Sequence, residues 1–334
     1  MNLKQVFINP VGRLRSGWRL LIFALLFLVL LFMVETVIRL GYAVAVQIAP
    51  NRSLGKYALN IVFRTAFLLA ALLAAFICAR WLEGLPTRAL GLSFNVPWLR
   101  EFLVGSVLGV LSLALAAGIA TAGGGLAFTI SGSAGLLQVG QTLVLSGLLF
   151  IIAALAEEVL FRGYPLQTLT RARLVTLGVL LTSVPFAAVH LDNPNSTGVF
   201  PFINTALAGV WLAVAYLRTR TLWFPLGVHW AWNWALGSLF GLPVSGLTDL
   251  APHPLLRGID SGPAWLTGGS YGIEGGLACT IALIISTLFI WRTGLVAPTD
   301  EMKRLTSQEN PSVAALVSRG SGPTVREGVN VPGT

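Results

Sequence analysis

The sequence predicts an all-α protein: a polytopic transmembrane bundle of about eight helices with both termini on the cytoplasmic side. Three observations carry this. First, 55% of the 334 residues are hydrophobic and only 10% are charged, against about 25% charged residues in soluble domains. Lipid-facing helices cannot solvate charge, so the deficit marks a bilayer protein. Second, the apolar residues gather into stretches near the ~20 residues that cross a bilayer, at 18–40, 58–79, 102–122, 139–162, 174–191, 200–217, 221–240 and 273–292. Third, basic residues fall on alternate connections. Lys4, Arg13, Arg15 and Arg19, then Arg80, Arg88 and Arg100, then Arg171 and Arg173, then Arg218 and Arg220, then Arg292, Lys303 and Arg304 share one side, while Arg52, Lys56 and Arg257 fall on the other. Such an excess marks the cytoplasmic face. The net charge of +9 is thereby explained by loops, and with no basic run interleaved with aromatics a nucleic-acid partner is not expected.

Taken in order, the first stretch is longer than a cleavable signal and has no obvious cleavage site, so no leader is expected. It holds Glu35 and Arg39, one helical turn apart and expected to pair. The second contains Arg64, expected to snorkel or reach an acidic neighbour. Gly123 to Gly135, rich in Gly and Ser, reads as an outer loop. The fourth stretch ends in a pair of carboxylates, and Pro165 follows as a helix breaker before a turn at 163–173. The segment 241–272, rich in Pro and Gly, reads as a second outer loop. Beyond the eighth stretch, 294–334 is polar and expected to be a disordered tail, and its last residues, Val-Pro-Gly-Thr, form no prenylation box. The expected organisation is thus spans one to three in 1–137, a chemistry-bearing core in 138–241, an outer loop with the last span in 242–293, and the tail in 294–334. Cys78 and Cys279 sit in apolar stretches and imply no disulfide framework. Trp18, Trp81, Trp98, Trp223 and Trp291 lie near span ends, as an interfacial belt requires, and no internal repeat is visible.

Chemistry concentrates in Ala156-Glu157-Glu158-Val159-Leu160-Phe161-Arg162-Gly163. Glu158 and Arg162 are four apart, share a helix face and are expected to pair. Glu157 points about 100° away and has no such partner in its own helix. A carboxylate without a counter-charge in apolar surroundings holds a proton more readily than in water, which suits a general base. A bare ion pair at a helix end is the plainer alternative. Of three histidines, His190 and His229 lie in apolar stretches and His253 in a Pro-flanked loop. If the fourth and fifth stretches form a hairpin, its midpoint falls between Arg173 and Leu174. Glu157 and His190 then face each other roughly 24 Å from the turn at 1.5 Å per residue, while His229 lies about 12 Å into its own stretch. A site in the cytoplasmic half is expected. His229 and Asn233 share a face, and both can donate hydrogen bonds to a developing oxyanion. An interhelical hydrogen bond is the plainer role for Asn233, and packing is the plainer role for Trp230, Trp232 and Trp234.

These residues resemble the three motifs of the CPBP family, the CAAX prenyl endopeptidases and bacterial Abi or bacteriocin-processing proteins: Glu-Glu-x-x-x-Arg (Glu157, Glu158, Arg162), Phe-x-x-x-His (Phe186, His190) and His-x-x-x-Asn (His229, Asn233). The resemblance covers about 139 to 240 and leaves out the first three spans, the eighth and the tail. It implies an eight-helix intramembrane endopeptidase acting on membrane-associated, prenylated or bacteriocin-like peptides or proteins amid membrane lipids, in a bacterial plasma membrane. It also implies that Glu157 activates water, His190 helps to hold it, His229 and Asn233 form the oxyanion hole, and Glu158, Arg162 and Phe186 support them. From the residues themselves, Glu157, His190 and His229 also match a His₂Glu zinc ligand set. Zinc and no metal stay open as cofactor readings. The metal-free version is favoured because the sequence offers no carboxylate obviously reserved for either histidine. A proton-coupled transporter or a silent scaffold or immunity protein are the other classes. The first lacks a visible inverted repeat, and the second does not need a complete set of reactive groups.

Overall fold

A computed structural model describes residues 3–10, 12–48, 54–94, 97–132 and 135–307. Every apolar stretch is helical: α1 Ser16–Ile48, α2 Lys56–Ile77, α3 Trp98–Ala122, α4 Leu136–Glu158, α5 Val175–Ala188, α6 Val199–Thr219, α7 Trp223–Trp234 and α8 Leu277–Arg292. Five helical segments are long and apolar enough to cross a membrane, namely Ser16–Ile48, Tyr57–Leu82, Trp98–Ala122, Leu136–Arg171 and Val199–Thr219; α5 and α8 are shorter apolar helices. α1 buries only Arg19, Phe23 and Phe27, and leaves Phe32, Val37 and Leu40 exposed. A helix that is apolar all round yet exposed is suited to lipid.

The fourth helix corrects the sequence reading. It does not end near 162. It continues through a π-helical stretch, Val159–Leu166, into a further turn, Gln167–Arg171. Pro165 sits inside the π stretch, where shifted backbone pairing accommodates its ring and missing N–H. Tyr164, Leu166, Gln167, Thr168 and Leu169, expected in a turn, are buried. The true connection is 172–174, with Arg173 at φ 61°. The fifth helix is correspondingly short, so His190 lies in the turn after α5 rather than within a span.

Two devices fix α7, which carries His229. On one side α3 and α7 touch backbone to backbone. A Cβ placed on Gly105 would stand 2.3 Å from the Phe224 carbonyl oxygen, one on Gly109 2.3 Å from that of Val228, and one on Gly227 2.2 Å from that of Phe102. Small residues one turn apart permit such an approach between membrane helices. On the other side the indole N–H groups of Trp230 and Trp234 donate to the carbonyls of Gly147 and Leu143 on α4, each at 3.0 Å.

One end of the bundle is closed by a buried ionic cluster. Glu83 pairs with Arg19 at 3.0 Å and with Arg171, and accepts from the Thr168 hydroxyl at 2.7 Å. Burial pushes the Glu83 carboxyl up, but Arg171 and Arg19, with that hydroxyl, outweigh burial and leave its pKa below the ordinary carboxylate value. At the same end Asp300–Thr306 forms a helix that buries Met302 and Leu305 and packs against Gln167–Arg171. This stretch was expected to be disordered. Thr299 caps it by accepting from the Met302 N–H at 3.2 Å, and one apolar turn suffices to dock it. The rest of the expected tail, 308–334, lies outside the described residues, as does Arg52.

At the opposite end, the two stretches expected to be loops pair as a small antiparallel ribbon, β1 Leu126–Ile130 with β2 Leu256–Asp260, with Phe128 opposite Gly258. Glu35 and Arg39 pair at 3.2 Å as expected. Cys78 and Cys279 are buried free thiols. Trp223 is buried rather than interfacial, its indole donating to the Ser93 carbonyl at 2.9 Å.

Candidate active site

The seven residues singled out by sequence meet across three helices, α4 with its π stretch, α5 and α7. Glu157 and Glu158 end α4, and Arg162 follows in the π stretch. Phe186 lies in the last turn of α5 with His190 just beyond, and His229 and Asn233 lie on α7. Glu157, Phe186, His190, His229 and Asn233 line one cavity of about 360 Å³. Glu158 and Arg162 lie behind its wall, both fully buried.

The buried layer works as a relay of orientation. Arg162 Nη1 donates to Glu158 Oε1 at 3.1 Å, the expected pair, and Nη2 donates to the Gly209 carbonyl at 3.2 Å. The face of Phe186 covers the guanidinium, whose carbon stands 4.5 Å from the ring centroid, a cation–π contact that suits a buried arginine. Glu158 Oε1 also receives the Nδ1 proton of His229 at 2.9 Å. A carboxylate only accepts, so Nδ1 carries the hydrogen and Nε2 is turned toward the cavity. This corrects the sequence reading, in which neither histidine had a reserved carboxylate. The partner is Glu158, in the neighbouring helix. His190 is fixed in the same manner by a different acceptor. Its Nδ1 donates to the Phe186 carbonyl at 2.7 Å, which leaves Nε2 as a lone pair.

Glu157 faces the cavity and is not the partnerless carboxylate expected from its helix. His229 Nε2 stands 3.7 Å from its Oε2, and Arg64 Nη1, from α2, stands 3.9 Å from its Oε1. Both separations exceed hydrogen-bond length, so Glu157 keeps its lone pairs for a third molecule. Two more residues escaped the sequence reading as site members. Arg64 lines the cavity beside Glu157. Glu274 lines the far side, where its carboxylate accepts from the Trp232 indole at 2.9 Å and from Ser245 N–H at 2.5 Å. An acid among Gly residues at the start of the eighth apolar stretch was the available signal for Glu274.

The donor types of Glu157, His190 and His229 suit zinc. As placed, however, no three His, Cys, Asp or Glu side chains among the described residues are gathered to hold a metal ion. His229 is spread between two carboxylates, and His190 stands at the end of a different helix.

The cavity is lined by Phe27 and Leu31 of α1, Asn60, Arg64 and Phe67 of α2, Ala208 and Leu212 in the middle of α6, His229, Trp232 and Asn233 of α7, and the loop Val244 to Leu250. The expected hairpin midpoint between Arg173 and Leu174 falls in the observed connection, 172–174.

Residues 139–235, which span the π stretch and all three motifs, match the model of the family Type II CAAX prenyl endopeptidase Rce1-like. No curated protein matches the chain.

Proposed function

We propose, from the match of residues 139–235 to the CAAX prenyl endopeptidases and the apolar helices that surround them, that the chain is an intramembrane endopeptidase in which Glu157 activates water. The carrying observation is that Glu157, His190 and His229 present free polar atoms to one cavity while Glu158, itself held by Arg162, orients His229 and the Phe186 carbonyl orients His190. Glu157 takes a proton from water as its oxygen attacks the scissile carbonyl carbon. His190 Nε2 accepts the second water hydrogen. The C–N bond then breaks, and Glu157 returns the proton to the leaving amine.

His229 and Asn233 serve the oxyanion. Since the Nδ1 hydrogen of His229 is committed to Glu158, donation from Nε2 requires the doubly protonated ring. Glu158, fully buried and 2.9 Å away, stabilises that cation. Lining from Phe27, Leu28 and Phe67 makes the approach apolar, which suits peptides held at or in the bilayer, lipidated ones included. The reaction is proposed to run without a metal, as Glu157 already has the position of a base. The test is turnover of a quenched fluorescent peptide ending in a farnesylated CAAX sequence, with Glu157→Gln as comparison. Cleavage by the wild type and none by the folded variant supports the reading, and equal cleavage by both refutes it.

A further inference from the structure

We propose that Arg64 is a positioning residue of this site, holding the Glu157 carboxylate in its working place, so that α2, outside the matched segment, is part of the catalytic machinery. The inference rests on the reading of Glu157 as the base and adds to it a role for a residue that no motif contains.

Charge gives the first reason. Within the matched segment the site holds two adjacent carboxylates, Glu157 and Glu158, and one guanidinium, Arg162. That guanidinium is already bonded to Glu158 and to the Gly209 carbonyl. Arg64 is the second guanidinium, and it stands beside the acid that Arg162 does not hydrogen-bond; a carboxylate with no guanidinium facing it in apolar surroundings is costly.

Geometry gives the second. Arg64 Nη1 lies 3.9 Å from Glu157 Oε1, whereas the other oxygen, Oε2, faces His229. Arg64 therefore addresses one side of the carboxylate and leaves the other toward the imidazole and the cavity. At that distance the hold is electrostatic rather than a hydrogen bond, so it orients Glu157 without blocking water. The remaining titratable and charged groups around Glu157 are His229 from α7, Glu158 and Arg162 on its own helix, His190 across the cavity and Glu274 on the far side. None of these offers a second fixed positive charge to Glu157.

Third, the placement is supported mechanically. α2 packs along α4, and Ala70, Ala71, Ala74 and Ala75 of α2 are buried in the same interior as Val159 and Tyr164 of the π stretch. The arginine is carried on a helix seated against the one that carries Glu157.

The test uses the full chain in lipid nanodiscs with the farnesylated peptide above. Arg64→Gln is expected to lower kcat on the order of 10²-fold, the scale of a misplaced catalytic group, with KM unchanged, and Arg64→Lys to retain most of wild-type kcat. A second measurement needs no substrate. The melting shift caused by Arg64→Gln should largely vanish when it is introduced into Glu157→Gln, since the partner charge is already gone. Unchanged kcat in Arg64→Gln overturns the proposal. So does a rise in KM alone, which would place Arg64 on the substrate, and so does the same melting shift in both backgrounds. If wild-type cleavage does not depend on Glu157, the reading of the base fails by itself, and the thermal comparison still decides whether the two side chains are coupled.

Discussion

Replacing Glu158 by Gln tests the buried relay most severely. The carboxylate is fully buried and serves Arg162 and His229 through the same oxygen, at 3.1 and 2.9 Å. The amide keeps the shape and one acceptor but removes the charge. Arg162 is then left as a fully buried cation with the Gly209 carbonyl and the Phe186 ring for company. Breaking one partner of a buried ion pair costs about 3–5 kcal/mol. At ~2–4 °C of melting temperature per kcal/mol for chains of roughly this size, the drop should be on the order of 10 °C. The chain has 10 tryptophans, so intrinsic fluorescence during heating in detergent reads the transition. Glu157→Gln should lower the melting temperature by a much smaller, measurable step, because its charged neighbours stand at 3.7 and 3.9 Å and such partly solvated, non-bonded pairs contribute about 1 kcal/mol or less. Adding Arg162→Met to Glu158→Gln should recover much of the lost stability by removing the orphaned cation, without recovering activity, because His229 still lacks the negative charge that stabilises its protonated ring. Glu158→Gln melting within about 2 °C of wild type, less than ~1 kcal/mol by the same scale, would refute this reasoning.

Further outcomes follow from packing and charge. Gly109→Leu or Gly227→Val should prevent α3 and α7 from meeting and lose folded protein, as overpacking costs about 1–3 kcal/mol or more. Gly118→Ala, with open space at its Cβ position, should be silent in the same gel-filtration assay. Trp234→Phe removes a donor to the Leu143 carbonyl and should lower stability by about 1 kcal/mol, measured by fluorescence melting. Glu83 has a folded pKa below its ordinary 4.5. Its stabilising share is therefore complete above 4.5 and is lost as pH falls through the lower folded value. Melting temperature in Glu83→Gln should fall less steeply with acidification below pH 4.5 than in wild type, and parallel curves would contradict that. Dialysis against a zinc chelator should leave peptide cleavage unchanged, and loss restored by added zinc would transfer the water to a metal.

The sequence made the helices legible because apolar length alone marks them, and it made the Glu158–Arg162 pair legible because helix geometry sets contacts four residues apart. It brought Glu157, His190 and His229 to one place through motif order. Contacts between helices were hidden. Nothing in the spacing of Arg64 and Glu157, or of His229 and Glu158, shows that they meet, since both contacts depend on how α2 and α7 seat against α4. The π stretch was hidden because Pro165 ordinarily ends a helix, and only the burial of Tyr164, Leu166 and Leu169 shows why the chain continues. That one error also moved the start of the turn from 163 to 172. The α3–α7 contact did have a readable signal in Gly105-x-x-x-Gly109.

The most direct measurement is comparative proteomics of peptide termini in membranes from cells that express the wild type or Glu157→Gln at equal levels. New termini present only with the wild type are the expected result and would also name the substrate. Identical termini, with both proteins folded and inserted, would contradict the assignment of Glu157 as the base of an endopeptidase.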